Sequence, residues 1–203
     1  GDEVYVVYAT NGDYNGVDHG KLRISDTVNA LNTIGVPTEH LYFLGYADNG
    51  GMGVGAFTTA FTDSFVYNIY VADDNKVISS RNGVTETYGN ENVRNDYHYL
   101  TTGEHASYTR ANFLADLKSV MESVNPTDVY MTSRYDMHYD HAYFGLFGIE
   151  AIKDIQAENN DFQPTVHEAI IHSHMTDEVY PKDQGNYGWN HELDTYLGAW
   201  QHL

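Results

Sequence analysis

Residues 129–141 hold the most informative stretch of the chain: Val129-Tyr130-Met131-Thr132-Ser133-Arg134-Tyr135-Asp136-Met137-His138-Tyr139-Asp140-His141. A strand-like run over residues 128–132 leads into a loop with two histidines and two aspartates, and residues 142–155 have the composition of a helix. Functional groups in parallel α/β sheets lie at the carboxyl ends of strands. Imidazole and carboxylate groups at such a position are typical of metal-dependent hydrolases. A solvated acidic loop that caps a helix is the alternative interpretation.

Strand-like and helix-like segments alternate along the rest of the chain. The strand-like runs cover residues 4–10, 41–44, 128–132 and 166–171, and the clearest helical patterns cover residues 22–34, 107–124 and 142–155. This alternation predicts an α/β fold with a mostly parallel sheet. In the first of these helices, the predicted buried face consists of Leu22, Val28, Leu31 and Ile34.

The chain shows no internal repeat and no linker, so we predict a single domain over residues 1–203. Residues 57–70 are compatible with a helix. A region at about 71–104 is rich in Asn, Gly, Asp and Thr and reads as an inserted loop region, whose tyrosines favour an ordered conformation. The tail after residue 175 has no clear period before Glu192.

Composition narrows the possible partners. The formal charge of −19 disfavours binding to nucleic acid and to anionic membranes, and no apolar run is long enough for a transmembrane segment. The acidic excess favours a secreted or cell-surface location, with a cytoplasmic one as the alternative. The absence of cysteine excludes disulfides and thiolate ligands, so any zinc must sit on His, Asp or Glu. The 18 tyrosines would either stack on sugars or pack half-buried strands.

Four predicted strand ends carry polar or glycine-rich residues, and in a parallel sheet they should meet at one crevice. These ends are residues 10–13, 45–48, 133–141 and 172–174. His172 and His174 alternate on the last strand and therefore face opposite sides. We select His172 as the one that reaches the crevice. Asp136 is expected to be solvated or to cap the helix.

Several motifs occur in an order that is typical of a known family. They are Thr10-Asn11-Gly12-Asp13 after the first strand, Arg23 early in the next helix, Leu44-Gly45-Tyr46-Ala47-Asp48, and His138-Tyr139-Asp140-His141. The chain resembles the LmbE-like/PIG-L family of zinc-dependent de-N-acetylases over roughly residues 1–175. The resemblance implies a Rossmann-like three-layer fold, a Zn²⁺ cofactor, and removal of the acetyl group from an N-acetylglucosamine-containing substrate or glycoconjugate.

The resemblance also implies roles for individual residues. His141 would be a zinc ligand, and His138 would stabilise the oxyanion or donate a proton. Asp140 would orient the base or its neighbours. The substrate-binding residues implied or selected at the same crevice are Arg23, Asp48, Asp13 and His172.

One family motif is missing. The family's His-Pro-Asp-Asp motif, which supplies two metal ligands and the expected general base, does not occur in this sequence. The chain therefore resembles a family member that begins after its first strand and helix. We expect the absent strand to lie inside the sheet and to be supplied by another segment or a second chain. We also expect the 203 residues alone to bind zinc weakly and to lack deacetylase activity.

Two other functions share part of this sequence pattern. A catalytically inactive carbohydrate-binding module on the same fold is the main alternative, because it needs no complete metal site. Metallo-β-lactamase-like hydrolases also use a His-x-Asp-His element, but they carry a further histidine two residues before it. Asp136 occupies that position here, which argues against this class.

Overall fold

The structure, a computed structural model, describes residues 2–49, 64–136 and 138–171. The elements in chain order are β1 (Val6–Thr10), α1 (Val17–Thr33), a 3₁₀ turn (Thr38–His40), β2 (Leu41–Tyr46), α2 (Phe65–Tyr70), α3 (Tyr97–Thr102), α4 (Arg110–Val124), β3 (Asp128–Thr132), α5 (Tyr139–Glu158) and β4 (Thr165–Ala169). All strand pairs in this part of the chain are parallel. The predicted α/β class with parallel strands is confirmed.

Strands β1 and β2 form a parallel pair in which Val6 lies opposite Leu41. Helix α1 covers one face of this pair, where Ile24 and Val28 pack in a buried cluster with Leu41 and Phe43. The spacing of four residues between Ile24 and Val28 places both side chains on one stripe of the helix.

The predicted buried face of α1 was partly wrong. Leu22 and Ile34 are 56% and 74% exposed, whereas Ile24 is 1% exposed. The stripe that packs on the strands is Ile24, Val28 and Leu31, which follows the i, i+4, i+7 spacing of one helix face. Leu22 lies off this stripe, and Ile34 is the C-terminal cap of the helix.

The larger core lies on the opposite face of β2. Phe113 and Leu117 of α4 and Phe147 of α5 pack there with Leu44 and Tyr46. Phe113 stacks on Phe147 with ring centroids 4.2 Å apart. Helix α4 buries Phe113, Leu117 and Val120, and α4 and α5 together form one helical layer.

Strands β3 and β4 form a second parallel pair, in which Val129 lies opposite Val166. Helix α5 connects the two strands and packs on β3. Its close approach depends on Gly145, because a Cβ atom at this position would collide with the backbone oxygen of Thr132. Tyr130 on the other face of β3 is 78% exposed.

The two pairs of strands do not join through hydrogen bonds within the described residues. Helix α1 lies on one face of the sheet, whereas α4 and α5 lie on the other. Within the described residues, β1 has β2 as its one strand partner and β3 has β4, so one edge of each strand has no paired strand there, and β1 buries only Ala9. Such edges normally pair with another strand.

The outer edge of β2 is covered by the region that the sequence predicted as an insertion. The Arg94 guanidinium donates to the Leu41 carbonyl at 3.0 Å, and the Tyr88 amide donates to the Gly45 carbonyl at 3.3 Å. Gly45 has φ +81°, and a Cβ atom there would lie 2.7 Å from the Tyr88 carbonyl oxygen. Glycine at this position thus allows the inserted region to close the sheet edge.

No helix in the three described ranges has the length and apolar character that crossing a membrane requires.

We predict that Gly145→Ala lowers the free energy of unfolding by about 1–3 kcal/mol relative to Gly148→Ala, the usual cost of overpacking. Both changes add an alanine to α5 and gain the same helix propensity. A Cβ at position 148 meets only the flexible Met131 sulfur at 2.9 Å, whereas one at position 145 meets strand backbone. Urea denaturation followed by circular dichroism measures the difference. Equal stability of the two variants would show that α5 does not pack on β3 in this way.

Candidate active site

A cavity of about 260 Å³ opens where the strand ends meet. Its walls come from the end of β1 and its loop, from α1, from the loop after β2, and from the start of α5. The charged, imidazole and amide side chains that line it are Asn11, Arg23, Asp48, His138, Asp140 and His141. Three of the four strand ends selected from the sequence therefore border one crevice. The fourth, residues 172–174, lies outside the described residues, and so does the predicted substrate residue His172.

His138 is the N-cap residue of α5. Its Nδ1 accepts a hydrogen bond from the Asp140 amide at 3.2 Å. Because Nδ1 is an acceptor, the neutral ring carries its proton on Nε2. The cap thus fixes both the ring orientation and the tautomer, and it makes His138 a donor at the cavity wall.

His141 lies one turn further along α5, and its ring stacks on that of His138 with centroids 4.7 Å apart. Its Nδ1 lies 3.3 Å from Oδ2 of Asp136. A carboxylate on Nδ1 leaves Nε2 as the ligating atom, which is the usual arrangement of a metal-binding histidine. This geometry is compatible with the ligand role that the family resemblance implies.

Asp136 organises this part of the site, although we expected it to be solvated or to act only as a cap. Its side chain is fully buried. Its Oδ1 accepts from the His138 amide at 2.8 Å, and its Oδ2 accepts from the Ile171 amide at 2.7 Å. Together with the contact to His141, these bonds connect both histidines to the end of β4. Nothing local in the sequence signals this role, because Ile171 is 35 residues away.

Asp140 is buried at the cavity wall, and its Oδ1 accepts from the Ser64 hydroxyl and from the Val66 amide. Burial raises the pKa of Asp140, while these hydrogen bonds and the neighbouring His141 act in the opposite direction. Ser64 is also the N-cap of α2, where it accepts from the Tyr67 amide at 3.1 Å. Asp140 therefore attaches α2 to the start of α5. Its implied role of orienting the base stays a prediction.

Arg23 lines the cavity from α1 and is exposed. Its side chain lies across Gly12, where a Cβ atom would collide with the guanidinium Nε. Gly12 has φ +63°, so the turn after β1 favours glycine for backbone reasons as well. The position of Arg23 at the rim is compatible with contact to a polar group of a substrate.

Asp13 and Asp48 come close together but occupy different positions. Asp48 lines the cavity, whereas Asp13 is fully buried beneath it. The Asp48 amide donates to Oδ1 of Asp13 at 2.6 Å. In this structure Asp13 therefore supports the loop that carries Asp48.

The described residues do not form a complete metal site. Within residues 2–49, 64–136 and 138–171, no group of three histidine or carboxylate side chains is placed to hold a metal ion. Catalytic zinc normally takes three protein ligands. His141 has the environment of a ligand, but the donor set around it does not fit the ion without further residues.

The sequence matches one family model. The family model PIG-L, described as GlcNAc-PI de-N-acetylase, matches residues 1–152. The chain belongs to this family. The match includes the cavity residues from Asn11 to His141 and thereby confirms the predicted family and its Rossmann-like α/β fold. Comparisons with curated proteins and with solved structures found no match.

Membership in the PIG-L family indicates a deacetylase that acts on GlcNAc-type substrates, and enzymes of this family are typically metal-dependent. The inserted region and the role of Asp136 were not apparent from the family motifs.

Proposed function

We propose that this PIG-L domain, within its complete protein, hydrolyses the N-acetyl group of an N-acetylglucosamine-containing substrate and depends on Zn²⁺. The observation that supports the proposal is the pair of oriented histidines, His138 and His141, at one cavity of a PIG-L domain. We further propose that the protein is secreted or bound at the cell surface.

The chain's own groups supply distinct functions in this proposal. His138 lines the cavity with its ring oriented by the bond at Nδ1, and it stabilises negative charge on the acetyl carbonyl oxygen. Arg23 and Asp48 hold polar groups of the sugar at the rim. Asp140, whose pKa is raised by burial, lies beside both histidines and is suited to influence proton transfer at the site.

In this proposal His141 is one zinc ligand, and the other ligands come from residues outside the described part of the chain. We predict that the 203-residue chain alone binds zinc weakly and releases no acetate, because the family's His-Pro-Asp-Asp motif is absent from its sequence and the described residues contribute His141 alone to a three-ligand site. Titration calorimetry with zinc tests this. Tight one-to-one binding that His141→Ala abolishes would contradict the prediction and would direct attention to His172 and His174.

The same proposal includes a strand between β1 and β3, supplied by a polypeptide segment outside the described residues. Both edges are free of partners in the described part of the chain, and both strands end at the cavity. A strand inserted there in parallel would bring its carboxyl end to the two histidines. Amide hydrogen exchange tests this: the β1 and β3 amides should exchange slowly if a strand fills the gap, and fast exchange of both sets would contradict this part of the proposal.

The alternative is a carbohydrate-binding module without catalysis. The lack of a three-ligand group in the described residues favours it. A cluster of half-buried tyrosines between α2 and α5 is also compatible with it, and the ring centroids of Tyr67 and Tyr143 in this cluster lie 4.8 Å apart. Mass spectrometry of an N-acetylglucosamine oligosaccharide after incubation with the full-length protein distinguishes the two. A product with a free amine supports the enzyme, whereas unchanged but bound oligosaccharide supports the module.

A further inference from the structure

Tyr88 of the inserted region reaches beneath the cavity and contacts both strand loops that form its floor. Its hydroxyl donates to Oδ2 of Asp13 at 2.7 Å. Its carbonyl oxygen accepts from the Asn11 side-chain amide at 2.8 Å. Its backbone amide donates to the Gly45 carbonyl at 3.3 Å. Tyr88 thus joins the loop after β1 to the end of β2. In sequence it lies 75 positions from Asp13 and 77 positions from Asn11.

The space around Tyr88 is shaped for this side chain. Gly20 of α1 lies against the tyrosine, and a Cβ atom there would collide with the Tyr88 hydroxyl and would lie 2.8 Å from Cβ of Asp13. Glycine in the interior of a helix normally costs stability. Its presence at position 20 is explained by the room that Tyr88 and Asp13 require.

The two groups that Tyr88 holds lead directly to the cavity wall. Asp13 also accepts from the Asp48 amide at 2.6 Å, so the carboxyl group connects Tyr88 to a cavity residue. Asn11 lines the cavity, and its Oδ1 is buried with no donor in the described part of the chain. The bond from its Nδ2 to Tyr88 fixes the orientation of this side-chain amide in the cavity wall.

We propose that Tyr88 is a positioning residue for substrate binding. It fixes Asp48 through Asp13 and orients the side-chain amide of Asn11. This proposal rests on the proposed function only for its kinetic consequence. Burial is the main cause that raises the pKa of the Tyr88 hydroxyl far above its usual range, and the hydrogen bond to Asp13 is the second cause. The hydroxyl therefore stays protonated and donates at every pH at which the protein would be assayed.

The test compares Tyr88→Phe with Tyr97→Phe in the full-length protein. Tyr97 is a buried tyrosine of the same inserted region, and its hydroxyl pairs with Ser119 at 2.8 Å, away from the cavity. In Tyr88→Phe, hydrogen exchange of the Asp48 amide should accelerate by about tenfold, the factor that an ordinary hydrogen bond represents. The backbone N–H of Asn11, which donates to the Tyr46 carbonyl at 2.8 Å, should keep its exchange rate and serves as an internal control.

The kinetic measurement adds a second readout. KM should rise by about three- to tenfold in Tyr88→Phe with little change in kcat, because the lost contact supports binding of the ground state and the transition state alike. Tyr97→Phe should change neither constant. Unchanged exchange at Asp48, or the same effect from Tyr97→Phe, would overturn the proposal. If even the wild-type protein releases no acetate, the proposed function fails, and the exchange experiment still decides the role of Tyr88.

Discussion

Replacing His138 by alanine is expected to slow acetate release by the full-length protein about 10²–10³-fold, with metal content unchanged, which is the usual cost of losing one oxyanion-stabilising donor. The structure provides the reason for this expectation. The Asp140 amide bonds to Nδ1, so the neutral ring presents Nε2–H at the cavity wall. Steady-state kinetics and metal analysis of the purified variant measure the two quantities separately.

The neighbouring variant His141→Ala serves as the comparison. The His141 ring stacks on the His138 ring with centroids 4.7 Å apart, so both variants disturb the same place. We expect His141→Ala to lose bound metal, because its Nδ1 is paired with Asp136 and its Nε2 has the environment of a ligand. Full activity of His138→Ala, or equal loss of metal from both variants, would contradict this division of roles.

Asp136→Asn is expected to lower kcat/KM by about 10–100-fold, as is common when a group that orients a metal-binding histidine is lost. Asparagine still accepts from the His138 amide through one oxygen. Its NH₂ group, however, cannot accept from the Ile171 amide, which now donates at 2.7 Å, or from a protonated Nδ1 of His141. Steady-state kinetics and metal content of the variant, measured together with thermal unfolding, provide the test.

A matched control exists on β3, the strand that precedes Asp136 in the chain. Asp128 of β3 pairs with His167 at 3.0 Å, but this aspartate–histidine pair is exposed. Exposed pairs contribute little, so Asp128→Asn should leave both activity and stability nearly unchanged. If the two substitutions have the same effect, Asp136 does not organise the site. A large loss of stability without any loss of activity in Asp136→Asn would lead to the same conclusion.

The elements that could be predicted from sequence are those with a strong local pattern. Strand β3 begins and ends where the sequence placed it, because a β-rich run is bounded by Pro126 before it and by the polar loop after it. Helix α4 follows because its apolar residues recur at helical spacing and Thr109 caps its start. The order of these elements sufficed to predict parallel strands and converging strand ends.

The supports of the site could not be predicted, because their partners lie far apart in sequence. Tyr88 bonds to Asp13 across 75 positions, and Asp140 bonds to Ser64 across 76. A buried carboxylate such as Asp136 looks like any capping aspartate until its distant donors are known. The phase of α1 was partly wrong for a related reason: apolar residues on both faces left two possible stripes, and only packing against β2 selects between them.

The most direct test of the central claim is release of acetate by the full-length protein from N,N′-diacetylchitobiose and from GlcNAc-PI. We predict acetate in equal amount to free amine, release that stops with a metal chelator, and recovery when Zn²⁺ is restored. Binding of either sugar without any acetate from either substrate would contradict the account and would identify the domain as a carbohydrate-binding module.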